Sequence, residues 1–374
     1  MSWRIARSTS RKPSTPTLRT AFRLGLTYLF TCHQLSWTSD GAIPDSLKFK
    51  FLSEVATLED IPDGLKDWHP NTNKQMLDLV HPSLYCCVFG RTKTLGPNLN
   101  RYDDIKTQWI PSDFQVREDG STRILSYINN LHPGQHTPMY ASIEEIFSRF
   151  VLMFERSLSN AKQDFNYSSI DNSKTVKLGG GAVQVIVKIA EIVLTPDAPN
   201  YEGGSWHIEG THREQIVATG IYYFECENIK DSRFIANENR LVQALGSVNS
   251  FEDRCLVFPN GLQHKVEPFE LEDPTKPGVR KILAFFLVEP EQTILSTSMI
   301  SPQQQDWIDS VEAPVLKKLR LVDTAVATVR EMLAPNTMSR QEAEQFRLQL
   351  MEERSTNGLA DPRGQDAFFN LCEH

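Results

Sequence analysis

No stretch of this chain supplies the ~20 consecutive apolar residues that a membrane-spanning helix needs, and the early apolar run from Leu24 to Phe30 is short and broken by Gly25 and Thr27. Neither a membrane span nor a secretory signal is expected. Cysteine is sparse: the six are scattered, none forms a C-x-x-C pair, and the adjacent Cys86 and Cys87 cannot bridge to each other without strain. That usage fits a reducing, intracellular compartment. Positive charge is also short. Lys plus Arg total 39 against 47 acids, a formal charge of −8, and no long basic stretch follows the first forty residues, so a nucleic-acid partner is not expected. Acids are missing from one place only, the segment before Asp40, which carries Arg4, Arg7, Arg11, Lys12, Arg19 and Arg23 among many Ser and Thr. Such a composition matches a mitochondrial transit peptide; a disordered extension, or a start codon assigned too far upstream, is the plainer reading. Residues 1–40 are therefore expected to lie outside the fold. The cytoplasm is the expected location, with the mitochondrion as the alternative.

The remaining chain is long enough for one large domain with additions. Residues 41–165 read as helix and loop, punctuated by Trp68-His69-Pro70, His81-Pro82 and Gly96-Pro97. Within them Ile143, Ile146, Phe147, Phe150, Val151 and Phe154 share one helical face, and Ser142 with Glu145 forms a capping box, which predicts an amphipathic helix over 141–161. From about residue 176 the period becomes extended: Val183, Val185, Val187 and Ile189 alternate with their neighbours. Further strands are expected through His207 and Glu209, from Ile216 to Glu225, Arg254 to Val257, His264 to Val266, and Val279 to Val288. Many short strands without long helices between them predict a barrel or sandwich over 166–300, in an α+β chain. Residues 301–374 return to helix, with a second capping box at Ser339 and Glu342, and are expected to cover the strands.

Alternate residues of a strand point to one side, so His207 and Glu209 present an imidazole and a carboxylate together. His264 follows the turn Pro259-Asn260-Gly261 and supplies a third ligand. Two His and one carboxylate make the facial set that suits non-haem Fe(II) and leaves adjacent coordination positions open. Arg280, sixteen residues beyond His264, can grip a carboxylate with two parallel hydrogen bonds.

This pattern, His207-Ile208-Glu209, His264, then Arg280, resembles that of the 2-oxoglutarate/Fe(II)-dependent oxygenases. The wording Ser126-Tyr127-Ile128-Asn129-Asn130-Leu131-His132-Pro133, Gly204 to Gly210, Tyr222-Tyr223 and Glu227-Asn228-Ile229 looks like a mostly fungal family of uncharacterised proteins related to them. The resemblance implies a double-stranded β-helix (a jelly-roll or cupin-like barrel) with flanking helices. It also implies Fe(II) held by His207, Glu209 and His264, 2-oxoglutarate held at Arg280, and oxidative decarboxylation to succinate coupled to hydroxylation of a small-molecule or protein substrate. Two departures stand out: Glu209 replaces the commoner Asp, and the polar stretch Glu267 to Pro277 lengthens the interval before Arg280. Tyr222, Thr219 and Lys188 are expected to face the interior, Tyr222 and Lys188 assisting the cofactor. His212 is expected near the entrance and off the metal, and Tyr127, Asn129, Asn130 and His132 in a structural turn. The alternatives are a cupin-like metal isomerase or binding protein, which would need the ligands but not Arg280, and a non-catalytic scaffold that would tolerate loss of His207.

Overall fold

The structure, a computed structural model, describes residues 26–28, 36–95, 105–165, 175–230, 232–237, 244–310, 324–325, 328 and 336–357. In chain order the elements are β1 (Leu26–Tyr28), β2 (Trp37–Ser39), α1 (Asp45–Glu59), β3 (Met76–Val80), β4 (Cys87–Val88), β5 (Thr107–Gln108), β6 (Ser112–Val116), β7 (Thr122–Ile124) and α2 (Thr137–Phe165). They continue with β8 (Gly181–Leu194), β9 (Asn200–Tyr201), β10 (Ile216–Glu227), β11 (Ile229–Lys230), β12 (Arg233–Asn237), β13 (Ala244–Asn249), β14 (Cys255–Pro259), β15 (Gln263–Val266), β16 (Phe269–Leu271), β17 (Gly278–Val288) and α3 (Arg340–Asn357).

A nine-stranded antiparallel sheet runs β1-β2-β14-β10-β17-β8-β6-β7, with β3 also paired to β8. Its central strands are apolar on both faces because both are covered. On the outer face α1 and α2 pack Phe51, Phe147, Phe150 and Phe154 onto Val185, Phe224 and Phe285. Gly220 permits that approach: a Cβ there would lie 2.8 Å from atoms of the Phe150 and Phe154 rings. On the inner face Ile186, Ile221, Tyr223, Phe258 and Phe286 meet Phe234 and Val248, carried by a small sheet of order β13-β12-β15. His207 joins that sheet through a bridge to His264. The space between the two sheets holds the site.

Several boundaries differ from the sequence reading. Trp37–Ser39, placed there in the N-terminal extension, pairs with Val257 to Cys255, and Leu26–Tyr28 pairs with it in turn; Thr38 and Ser39 are buried, and Asp40 accepts two hydrogen bonds from Arg254. Three-residue strands lack the alternating run that would announce them. The transit-peptide reading of residues 1–25 lies outside the described residues. Residues 41–165, expected to be helical, carry β3 to β7 as well as two helices. Helix α2 begins at Thr137, ahead of the Ser142 and Glu145 box, and the Ser142 hydroxyl is buried inside it without a partner. The second box forms in part, since Ser339 Oγ accepts the Glu342 N–H at 3.2 Å. No helix among the described residues is long and apolar enough to cross a membrane.

Candidate metal centre

The backbones of His207 and His264 exchange both hydrogen bonds, at 3.0 and 2.9 Å, so the two side chains stand opposite each other with ring centroids 4.4 Å apart. Glu209, two residues on, returns to the same side. Its Oε1 lies 3.6 Å from His207 Nε2 and 3.2 Å from His264 Nε2. The Glu209 backbone is fixed by a side chain the sequence reading treated only as part of a turn: Asn260 Oδ1 accepts the Glu209 N–H at 2.9 Å, and Asn260 Nδ2 donates to the Glu209 carbonyl at 2.8 Å and the Ile216 carbonyl at 3.2 Å. The turn between β14 and β15 thus aligns the three side chains that could hold a metal ion. Phe234 and Phe258 pack on the His264 ring and hold its rotamer.

Each imidazole also has its tautomer set by its own backbone. His207 Nδ1 faces the Ser205 carbonyl at 2.9 Å and His264 Nδ1 the Leu262 carbonyl at 3.2 Å. A carbonyl only accepts, so each Nδ1 carries the proton and each Nε2 presents a lone pair toward the carboxylate. Three acceptors then converge in a buried space, an arrangement that is repulsive unless a proton or a cation sits between them. Burial disfavours charge on His207, but Glu209 outweighs it and raises the pKa. Burial lowers that of His264, with His207 adding to the effect. Burial opposes ionisation of Glu209, yet a proton held at either facing Nε2 outweighs it, so the two imidazoles keep its carboxyl far below the usual range.

A second cluster, His69, Asp78 and His81, also joins two histidines to a carboxylate and is more deeply buried. There Asp78 Oδ2 accepts from His69 Nδ1 at 2.7 Å, while His81 Nδ1 accepts the Ser83 N–H at 3.2 Å. The proton of a neutral His81 is therefore on Nε2, which faces Asp78 Oδ1 at 3.9 Å. Burial keeps His81 well below its ordinary pKa; it also opposes the Asp78 charge, but the imidazoles of His81 and His69 outweigh it and hold that carboxyl low. This cluster is a buried carboxylate between two imidazole N–H groups and offers no pair of free Nε2 lone pairs.

The triad opens into a cavity between the sheets, walled by Trp109, Ile221, Tyr223 and Phe286 and lined by three cationic side chains, Lys188, Arg280 and Arg354. Arg280 pairs across to Ile192 and Cys226. Its guanidinium is buried beside Phe269 and Tyr223, Nη1 donates to Ser232 Oγ, and Nε has no hydrogen-bond partner. The Lys188 ammonium makes no hydrogen bond or ion pair with a described residue, while its backbone pairs across to Ala284. Tyr222, expected in the cavity, is not there. It packs in the outer core under the helices, and its hydroxyl donates to Asp253 Oδ1 at 3.3 Å. Thr219 and Tyr222 are three apart on a stretch of β10 without a bulge, so they take opposite faces, and Tyr223 is the tyrosine that looks inward. His212 is exposed on the turn after Glu209. Asn129 and Asn130 bond the carbonyls of His81, Leu84 and Tyr85 and so shape the chain around the second cluster.

Residues 18–178, 171–239 and 234–311 match the model of a family described as "Protein of unknown function (DUF4246)". No curated protein matches the chain. Among solved structures it is similar to the Fe(II)/(alpha)ketoglutarate-dependent dioxygenase TqaL, at 12% identity over 76% of this chain and 89% of that one, with a TM-score of 0.39. A dioxygenase for auxin oxidation from rice gives 11% identity, 75% and 80% coverage and a TM-score of 0.35. A prolyl hydroxylase from Trichoplax adhaerens, in complex with a hypoxia inducible factor peptide fragment, gives 12%, 73%, 88% and 0.32.

Proposed function

We propose that this chain, which belongs to the DUF4246 family of proteins of unknown function, is an Fe(II)- and 2-oxoglutarate-dependent oxygenase, a hydroxylase of a small molecule or protein side chain. The observation that carries this reading is the tautomer-locked pair of Nε2 lone pairs facing Glu209. His207, Glu209 and His264 would hold one iron on a single face, and such a ligand set leaves the opposite positions for exchangeable ligands. Bound iron supplies activation of oxygen, coupled through the 2-oxo acid to oxidation of the substrate. The protein's part is positional. Arg280 offers its guanidinium, free at Nε, to the far carboxylate of 2-oxoglutarate, and Lys188 adds a second positive charge to the cavity wall. Trp109, Tyr223 and Phe286 exclude bulk water from the reacting end.

The strand order supports a double-stranded β-helix as the underlying fold. Successive core segments pass between two antiparallel sheets, β8-β17-β10-β14 on one side and the His207 segment with β15-β12-β13 on the other. The deciding experiment incubates the Fe(II)-loaded chain with 2-oxoglutarate under air and follows succinate. Uncoupled succinate formation, lost in His207→Ala, is the expected result. Tight metal binding with no succinate and no affinity for 2-oxoglutarate would favour a cupin-like isomerase or binding protein.

A further inference from the structure

The turn that follows the metal ligands is fastened to the far end of the chain. After Glu209 the backbone reverses through Gly210, at φ +67°, and Gln215, at φ 50°, before entering β10. The turn closes on one buried side chain, Glu214, with no exposed surface. Glu214 Oε2 accepts from both the N–H and the hydroxyl of Thr211 at 2.6 Å, and Oε1 accepts the Trp109 N–H at 2.8 Å. Gly210 fits tightly against it, since a Cβ there would lie 3.3 Å from Glu214 Oε2 and 2.7 Å from Ile216 Cδ1. The charge of Glu214 is met by Arg354 from helix α3, whose Nη2 donates to Oε1 at 2.9 Å and whose guanidinium lies over the Trp109 ring, 3.7 Å from its centroid. Arg354 is 3% exposed and, with Trp109, lines the cavity that contains the triad. Its neighbour Glu353 grips the other side of the same segment, accepting from the N–H groups of Lys106 and Thr107 and from the Thr107 hydroxyl. The end of α3 therefore clamps residues 105–109 and the metal-site turn together.

We propose that Arg354 is a positioning residue of the metal centre: through Glu214 it holds the turn from Gly210 to Gln215 and, with it, the Glu209 ligand. The proposal rests on the reading of His207, Glu209 and His264 as metal ligands. Groups that orient metal ligands typically carry about tenfold or more of the affinity. An Arg carries both the stacking and the ion pair, whereas a Lys keeps only the charge. Helix α3, read from sequence as a solvated cover, thereby becomes part of the site.

The test uses the full chain titrated with Co(II), whose absorption bands report ligand geometry. Arg354→Met and Glu214→Gln should each raise the Co(II) dissociation constant by about tenfold or more and alter the bands, while Arg354→Lys recovers part of the loss. Lys48→Met is the control. Lys48 pairs with Glu252 and Asp253 on the opposite face of the large sheet, so its loss should lower the melting temperature and leave Co(II) binding alone. Wild-type affinity and bands in folded Arg354→Met and Glu214→Gln would overturn the proposal, as would an equal weakening in Lys48→Met at equal loss of melting temperature. If Arg354→Met does not fold, Glu214→Gln and Arg354→Lys decide by the same criteria. Absence of Co(II) binding in the wild type would instead overturn the metal-site reading itself.

Discussion

Asn260→Ala isolates alignment of the centre from ligation, because Asn260 contacts the Glu209 backbone and none of the ligand atoms. In the wild type its amide pairs with both the N–H and the carbonyl of Glu209, at 2.9 and 2.8 Å, and reaches the Ile216 carbonyl at 3.2 Å. Alanine leaves the Glu209 N–H and carbonyl without that partner in a region where Asn260 itself is 7% exposed. A buried polar group deprived of its partner costs about 1–3 kcal/mol, and partial access of water brings the two together to about 2–4 kcal/mol. At ~1.4 kcal/mol per factor of ten, this would weaken metal binding about 30-fold to 1000-fold if all of it fell on the site. Part will instead appear as lost fold stability, since the same bonds join β14 to the His207 segment without metal. Urea unfolding of the metal-free chain measures that share, and Co(II) titration measures the remainder. The expected pattern is a loss of ~1–2 kcal/mol in stability together with about tenfold weaker metal binding. A folded Asn260→Ala chain that binds metal with wild-type affinity would refute the reasoning.

Arg280→Ala should leave Fe(II) binding intact and weaken 2-oxoglutarate by ~2–4 kcal/mol, since a charge-assisted two-pronged contact is lost from a buried site; anaerobic titration of the Fe(II)-loaded chain reads this, and equal affinities would pass the role to Lys188. Metal analysis should find one ion per chain in wild type and in His81→Ala, and almost none in His207→Ala or His264→Ala. Two ions in wild type, falling to one in His81→Ala, would show the second cluster to be a site as well. Glu191 is pushed up to about 7 by burial, with Glu59 and Glu225 adding and Lys281 opposing. A raised carboxyl pKa means that its protonated form stabilises the fold below the unfolded value near 4.5 and that this is lost as pH rises through about 7. Glu191→Gln should accordingly match wild type near pH 4.5 and exceed it by up to ~3 kcal/mol above pH 7, because Lys281 keeps Glu59 and Glu225 at 2.7 Å. A stability difference that does not vary with pH would remove this assignment.

What could be read from sequence follows from how far each signal extends along the chain. The apolar, β-branched and aromatic runs of β8, β10 and β17 extend over ten or more residues, and the apolar face of α2 recurs through several turns, so those elements were legible. The strand expected through His207 and Glu209 shrinks to a single bridge at His207, yet the H-x-E spacing was legible because alternate residues of extended chain share a side even there. The short strands β1 to β7 were not, because two to five residues carry no period, and each is a strand only by virtue of the partner that tertiary contacts bring beside it. The stretch 228–250, where no strand was expected, contains β12 and β13, whose inward Phe234 and Val248 cover the site. Tyr222 shows the limit from the other side. The strand was right, but the inward tyrosine was taken one residue too early, and a one-residue error reverses every side chain.

The tautomers mark a further limit, since composition alone gives the two clusters equal standing. His207 and His264 each turn Nδ1 onto the carbonyl two residues earlier in the chain, Ser205 and Leu262. His81 turns Nδ1 the other way along the backbone, onto the N–H of Ser83 two residues later. An extended approach to the first two histidines leaves the preceding carbonyl beside the ring, whereas the His81-Pro82 turn folds the following N–H back over it. A carbonyl drives the proton onto Nδ1 and frees Nε2 for a cation; an N–H drives it onto Nε2, which then turns a proton and not a lone pair toward Asp78 at 3.9 Å. Binding a metal at His81 would require breaking the Ser83 contact or removing a second proton from the imidazole, and neither demand arises at His207 or His264. The chemistry of each cluster is thus decided by one backbone group beside each ring, which is why a count of two histidines and one carboxylate finds both and only the geometry separates them.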